Sequence, residues 1–389
     1  MNNIRKSKEE LEQIKQRYNT DQLWSWSKFN TYKTSPFEYK LNYIDKIKQD
    51  KTDSAFGAYG NAIHSCLENY YSGNIKYEDM INEFEDVLFT LELSNLKFDR
   101  TNEDKNKNIS QKYIASIKHF LLNHNPITSN VDLERFLLID IGGNIFQGYA
   151  DLIRKDAEGN FIIQDWKSST IYKGEKIDKE KGQLLLYTEA LIQLGVPIDK
   201  IKACWNFLKY VNVKIEQANG KISERQIERI KIGESLLSNV KMWLKKLGHT
   251  ENLEHYLETL LVSNDISCLP KEVQAKYSFD DCYVFVPINQ EIIDEMKADV
   301  IKTIDEIKTK QNEYEITHNN KLFWDNDVES QSFYFANLCG YSAQLHLPYK
   351  EYLEKLQMEN ENRDNMFSGI GSGNNDESKN DELSWLSEI

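Results

Sequence analysis

Phe161-Ile162-Ile163-Gln164-Asp165-Trp166-Lys167 is the stretch on which the fold turns. A short, mostly apolar run follows the turn-forming segment Asp156-Ala157-Glu158-Gly159-Asn160, the pattern of a strand leaving a hairpin. Side chains alternate along a strand, so Ile163, Asp165 and Lys167 share one face. The run before the turn, Ile145 to Arg154, reads as a second strand in which Tyr149, Asp151 and Ile153 share a face. If the two strands pair through the turn, Asp151 and Asp165 lie side by side. Like charges so placed repel unless a cation sits between them. Mg²⁺ is the natural partner, because it takes carboxylate and water ligands, and backbone carbonyls from the 162–166 stretch can add a further oxygen. Lys167 then has two open roles: orienting or deprotonating an attacking water, or stabilising negative charge that grows on a phosphorane. The plain alternative is a surface hairpin with solvated charges, since Asp-x-Lys triplets are common.

Working outward, Glu134 to Asp140 reads as a strand joined to Ile145–Arg154 by the turn Gly142-Gly143-Asn144, so the three runs form an antiparallel meander. Glu180 to Leu194 reads as a helix closed by Gly195 and Pro197. Cys204 to Tyr210 and Val213 to Gln217 read as strands before the turn Asn219-Gly220. Upstream, residues 7–50 are helical, punctuated at Ser35-Pro36, and a second helix runs from Asn61 to Tyr71. Residues 77–125 follow as polar helix, with a loop at Thr101–Asn108. From Ser223 the chain reads as mostly helical, over Gln226–Leu247, Asn252–Val262 and Gln290–Tyr314, with a short strand at Cys282 to Ile288. A glycine-serine spacer at 368–373 leads to acids with the apolar residues Leu383, Trp385, Leu386 and Ile389. The expected organisation is a helical region 1–59, a core 60–217, a mostly helical region 218–358 and a flexible acidic tail 359–389.

The 389 residues are 40% hydrophobic and 12% aromatic, ample for a packed core. The charged start of the chain predicts no secretory signal, and no stretch has the roughly 20 apolar residues of a membrane span. Five scattered cysteines without a CxxC speak against a zinc knuckle or a disulfide framework and suit a reducing cytoplasm. A net charge of −14 lowers the expectation of a nucleic-acid partner, but the stretches 167–181 and 200–214 are rich in lysine, and a local basic groove is enough to hold phosphate.

Other residues are candidates by position. Gln183 and Tyr187 stand four apart on a leucine-rich helix and so face one way, as do His64 and Glu68 on the earlier helix. Alone, the first pair is an ordinary polar face, the histidine a satisfied structural residue and Glu134 a solvated charge. Trp24, Trp26, Phe29 and Tyr32 are able to stack on unpaired bases, though core packing is the commoner fate of such rings. Lys173, Lys176, Lys179 and Lys181 are candidates for phosphate contact.

Taken in order, Gly60-Asn61-Ala62-Ile63-His64, Glu134, Gly148-Tyr149-Ala150-Asp151, Ile163-Gln164-Asp165-Trp166-Lys167-Ser168-Ser169 and Gln183-Leu184-Leu185-Leu186-Tyr187 resemble the RecB-type branch of the PD-(D/E)XK nuclease superfamily. That branch includes the nuclease domains of RecB and AddB and the CRISPR-associated RecB-like exonucleases. The resemblance spans about residues 24–210, with a weaker echo near 333–349. It implies an α/β fold with a restriction-endonuclease-like core, a small mixed sheet flanked by helices, and helical N- and C-terminal extensions. It implies His64, Asp151, Asp165 and the Trp166 backbone carbonyl as ligands of Mg²⁺ or Mn²⁺, with Lys167 as the catalytic lysine. Gln183 and Tyr187 become the pair that positions the DNA backbone and Lys167, and Glu134 an auxiliary acid.

Several members of that branch hold an iron–sulfur cluster on one N-terminal and three C-terminal cysteines. Here Ser35 precedes Pro36, and Ala336, Cys339 and Leu345 stand near the other positions. A cluster normally takes four thiolates, so none is expected; packing of Phe333-Tyr334-Phe335 on the N-terminal helices is expected to hold the ends together instead. The activity implied is cleavage of DNA, exonucleolytic, in recombination, repair or processing, in a bacteriophage or low-GC bacterial setting and so in a host cytoplasm. No GxxxxGK[ST] pattern is present, so any ATP-driven unwinding comes from elsewhere. The rivals are a catalytically inactive DNA-binding or scaffolding protein on the same fold, and a structure-selective endonuclease. The acidic tail is read first as a solubility device, with two alternatives: a dock for a recombination or single-stranded-DNA-binding protein, or a mimic that occupies the DNA groove and restrains activity.

Overall fold

Three consecutive strands form the meander, and a fourth lies parallel to the last of them. The computed structural model describes residues 5–51, 54–324 and 328–342, with single positions 351, 354, 357, 358 and 361. The acidic tail, apart from Glu361, and Leu345 lie outside the described residues. The strands are β1 (Val131–Ile141), β2 (Asn144–Lys155), β3 (Phe161–Lys167), β4 (Ile201–Glu216), β5 (Ile222–Glu228) and β6 (Tyr277–Phe285). They form one six-stranded mixed sheet in the order β1-β2-β3-β4-β5, with β6 also paired to β4. All pairs are antiparallel except β3 with β4. Parallel neighbours need a long crossover. Two helices that lie between β3 and β4 in the chain, numbered α7 and α8 below, supply it.

The helices before the sheet are α1 (Lys8–Tyr18), α2 (Trp26–Thr34), α3 (Pro36–Tyr39), α4 (Ala55–Tyr71), α5 (Met80–Leu93) and α6 (Glu103–Asn123). The crossover holds α7 (Glu175–Glu180) and α8 (Gly182–Gln193), and α9 (Ile232–Lys246), α10 (Leu253–Ser263), α11 (Lys271–Gln274) and α12 (Gln290–Thr317) follow. Among the described residues no helix is long and apolar enough to cross a membrane.

Strand alternation explains why the sheet is covered on both faces. Ile153, Ile163, Ala203 and Trp205 pack with Leu184 and Leu191 of α8 and with Ile304 of α12. Leu152, Trp166 and Leu208 point the other way, onto Ile63 and Leu67 of α4 and Ile117 and Phe120 of α6. The far half of β4 carries a third apolar cluster, in which Val211, Val213 and Ile215 meet Leu236, Trp243 and Leu260 of α9 and α10. One long strand therefore joins the central sheet to a distal helical layer.

Several boundaries differ from the sequence reading, each for a packing reason. The two strands expected around 204–217 are one, because every position from Cys204 to Leu208 is buried and the ladder with β6 continues across an irregularity between Asn206 and Val211. Residues 222–228, expected at the start of a helix, form β5, which alternates polar residues and pairs with β4 at the sheet edge. The expected 180–194 helix is α8, and a further short helix, α7, precedes it with the break at Lys181. Helix α4 begins at Ala55, since Ala55 and Tyr59 are buried beneath Phe98 and Tyr113. The loop between α5 and α6 lies at residues 94–102 instead of 101–108, and Asn102 caps α6 by accepting from the Lys105 amide at 2.8 Å.

The two ends of the described chain are held together, as expected. Phe335 is buried in the apolar cluster that includes Phe37 and Tyr39. The Tyr334 hydroxyl donates to the buried Glu38 carboxylate, Gln331 donates to the Thr34 carbonyl at 3.1 Å, and the Tyr341 hydroxyl donates to the Ile47 carbonyl at 2.8 Å. Ser35, in the place of a family cysteine, accepts from the Glu38 amide at 3.0 Å and so caps α3, and Cys339 is a buried thiol.

The distal layer is tied to the core by one buried ion pair. Arg229 donates to Asp281 at 2.7 Å and to the Leu208 carbonyl at 3.0 Å, and its guanidinium lies over the Phe120 ring. Asp281→Ala leaves that guanidinium buried and unpaired and is expected to cost about 3–5 kcal/mol in urea unfolding. The apolar double replacement Arg229→Met with Asp281→Leu is expected to cost far less; equal losses in the two proteins refute the pairing argument.

Candidate active site

Three carboxylates fall in register where the meander stops pairing. The β2–β3 ladder runs from Lys155↔Phe161 to Leu152↔Gln164, one step short of Asp151 and Asp165. On the other side of β2, the β1–β2 ladder passes from Leu133↔Leu152 to Arg135↔Ala150 and skips Glu134, the residue opposite Asp151. Glu134, Asp151 and Asp165 thus occupy successive positions across β1, β2 and β3. Glu134 has φ +45°, a left-handed conformation that costs a non-glycine residue about 1–3 kcal/mol and concentrates at functional sites.

Backbone groups freed from the ladder are taken up by the site. The Trp166 amide donates to Asp151 Oδ2 at 2.8 Å. His64, on the inward face of α4, sets Nε2 at 3.0 Å from the Trp166 carbonyl and Nδ1 at 3.6 Å from Asp151 Oδ2. Its ring stands edge-on to the buried Trp166 indole. On the opposite face of β3, Lys167 Nζ lies 2.7 Å from Asp165 Oδ2. The structure brings His64, Asp151, Asp165, Trp166 and Lys167 together at the ends of two strands.

Burial sets the electrostatics. Desolvation, with the Asp165 charge second, raises the Asp151 carboxyl well above the usual carboxylate range. Burial lowers the His64 imidazole, only partly countered by Asp165, so it is neutral at pH 7. Burial alone would lower Lys167, but the charge of Asp165 and its hydrogen bond outweigh it and the ammonium is held well above its ordinary value. Glu68, one turn after His64, is raised by burial and then by the charge of Glu134. Clustered acids therefore face the Lys167 ammonium, with Arg5 reaching Glu134 at 3.6 Å from an exposed position.

Among the described residues no three His, Cys, Asp or Glu side chains are arranged as a ready cation cage. The donor chemistry nevertheless suits a hard cation. The 3.0 Å between His64 Nε2 and the Trp166 carbonyl is close to the roughly 3 Å edge of an octahedron with 2.0–2.1 Å bonds. Glu134 Oε2 is buried and accepts no hydrogen bond. Both face a cleft of about 500 Å³ that Asp151, Glu68 and Gln183 also line.

Gln183 and Tyr187 stand behind β2. Gln183 donates to the Tyr187 hydroxyl at 3.0 Å, and that hydroxyl donates to the Tyr149 carbonyl at 2.9 Å, two residues before Asp151. The pair holds the strand that carries Asp151. Gly148 makes this approach possible: a Cβ there would lie 2.5 Å from Tyr187 Cε1.

Of the N-terminal aromatics, Trp24, Phe29 and Tyr32 are core residues, as the plainer reading held. Trp26 instead lines the cleft, with its ring directly over Gly182. Arg5 was missed; nothing in its local sequence marks it, and only the path of the chain over Tyr149 places it at the cleft mouth.

A strand-borne carboxylate pair with an adjoining lysine and a helix-borne histidine is the arrangement of a sheet-based phosphodiesterase. The model of the PD-(D/E)XK nuclease superfamily matches residues 23–341, and the chain belongs to that superfamily. No curated protein matches. A solved structure, "Crystal structure of SSO0001", is similar over 52% of this chain and 76% of its own at 14% identity, with a TM-score of 0.17 that carries no argument.

Two outcomes are expected of the site itself. Asp151→Asn keeps an acceptor for the Trp166 amide but removes a buried charge. A raised carboxyl contributes stability at acid pH that is lost as pH rises through the folded-state value. In chelator, the melting temperature of Asp151→Asn relative to wild type should therefore increase as pH rises above the ordinary aspartate value of about 4; a difference that stays flat with pH contradicts this. Gly148→Ala forces Tyr187 out of place and should cost about 1–3 kcal/mol in chemical unfolding, whereas the same change at the open Gly57 should not.

Proposed function

We propose that this protein is a Mg²⁺- or Mn²⁺-dependent deoxyribonuclease of the RecB/AddB-like branch, acting as an exonuclease in DNA recombination, repair or processing. The observation that carries the reading is the alignment of Glu134, Asp151 and Asp165 across three strands beside Lys167 and His64. Asp151, Asp165, the Trp166 carbonyl and His64 are the groups that would hold the cation, with Glu134 beside them. When bound, such an ion supplies Lewis acidity and lowers the pKa of water.

The chain's own contribution follows from its electrostatics. Lys167 is held protonated, so it acts as a cation and hydrogen-bond donor, steadying the attacking water and the charge that grows on phosphorus, and is not a base. His64 is neutral and presents an imidazole lone pair. Tyr187 and Gln183 fix the strand that carries Asp151, which keeps the carboxylates in position. Trp26 and Arg5 at the cleft mouth are placed to meet a base and a phosphate. On this reading residues 60–217 form the nuclease core, with 1–59 and 218–358 completing the domain. The exonucleolytic mode, the process and a partner for the acidic tail rest on the resemblance and the sequence.

Linear and covalently closed circular DNA incubated with Mg²⁺ or Mn²⁺ test the proposal. Wild type should degrade the linear form and spare the circle, chelator should stop the reaction, and Asp165→Ala or Lys167→Ala should lose about 10²–10³-fold or more in kcat. Cleavage of the circle would make the protein an endonuclease. Intact DNA with both metals would leave a binding or scaffolding protein.

A further inference from the structure

We propose that a second groove, between the start of α7 and the β5 edge, is a track for the phosphate backbone of the substrate on one side of the scissile bond; this rests on the nuclease reading. The groove is open, with a volume of about 690 Å³. Lys173 and Lys176 line one wall, and Arg225 and Lys231 line the other. All four are exposed. Lys231 is paired with Glu228 at 2.8 Å, whereas no ion pair engages Lys173, Lys176 or Arg225 among the described residues. Three cations without an ion pair in one open groove stand out in a chain of net charge −14.

The groove is coupled to the candidate centre through Tyr172. Lys176 Nζ lies 4.8 Å from the centre of that ring, which in turn packs 5.0 Å from Trp205 and 4.9 Å from Phe207. Trp205 and Phe207 are the β4 residues in register with Asp165 and Lys167. Lys173 lies six residues on from Lys167, a reach of at most about 20 Å, or roughly six base-pair rises at 3.4 Å per phosphate on each strand. Cations spread along an open wall, with no enclosed pocket for one anion, match an extended polyanion rather than a single phosphate. Contacts of this kind position nucleic acid without reading its sequence and are salt-dependent. The two walls come from segments some fifty residues apart in the sequence, and the parallel β3–β4 pair with its β5 hairpin brings them together.

The test compares wild type with Lys173→Glu/Lys176→Glu/Arg225→Glu. Binding of a fluorescein-labelled duplex of about 30 base pairs, longer than the reach above, is followed by anisotropy in chelator between about 50 and 200 mM KCl. Hydrolysis of bis(p-nitrophenyl) phosphate, too small to reach the groove, is measured with Mn²⁺. The variant should bind the duplex at least ten-fold more weakly, with its slope of log affinity against log salt reduced by about 0.9 per lost phosphate contact. Its hydrolysis of the small ester should match wild type. Arg225→Gln alone should show a single such step and covers the case in which the triple variant does not fold. Unchanged affinity and slope in a protein whose wild type binds and cuts DNA overturn the groove and leave the nuclease standing, as does an equal loss on the small ester. A wild type that neither binds nor cuts DNA overturns the nuclease reading, and the groove with it.

Discussion

Everything at the centre depends on the mutual repulsion of buried carboxylates. Asp151 and Asp165 are held at adjacent strand positions by a sheet that pairs up to the step before them and then stops. Glu134 is brought alongside at the expense of a left-handed backbone. The fold answers this excess of negative charge only in part, with the Lys167 ammonium on one face, the Trp166 amide on the other and Arg5 at the rim. The charge of a site built this way is complementary to a cation.

The surrounding architecture keeps that unfavourable arrangement in place. The sheet is packed on both faces, by α8 and α12 on one side and by α4 and α6 on the other. Each layer delivers a part of the site: α4 brings His64 beneath β3, and α8 brings Tyr187 against the backbone of β2 where Gly148 leaves room. The segment around Phe335, far along the chain, closes on α3 beside Cys339 and gives the N-terminal helices a fixed base.

Much of this was legible in the residues. The meander, its two turns and the placing of Asp151 beside Asp165 follow from alternation and turn chemistry, which are local and strong around Asp156–Asn160 and Gly142–Asn144. The misjudged segments are those where tertiary burial overrides local pattern. Strand β4 is apolar on both faces because it is the central strand, which blurs its period, and β5 is a polar edge strand whose sequence reads equally as helix. The hydrogen bond of Tyr187 to the backbone of β2 was likewise illegible, because helix spacing tells which residues share a face but not what that face meets.

The sequence alone determined the superfamily and the α/β class and put forward the candidate side chains, because strand alternation and turn preference act over a few residues and the motif spacing encodes them directly. Only the tertiary structure decided the relation of Glu134 to Asp151, the commitment of Lys167 to Asp165, the presence of Arg5 at the cleft and the basic groove assembled from α7 and β5. Those depend on register and on the docking of distant layers, where the free energy comes from burial across the whole molecule and not from any one stretch of chain.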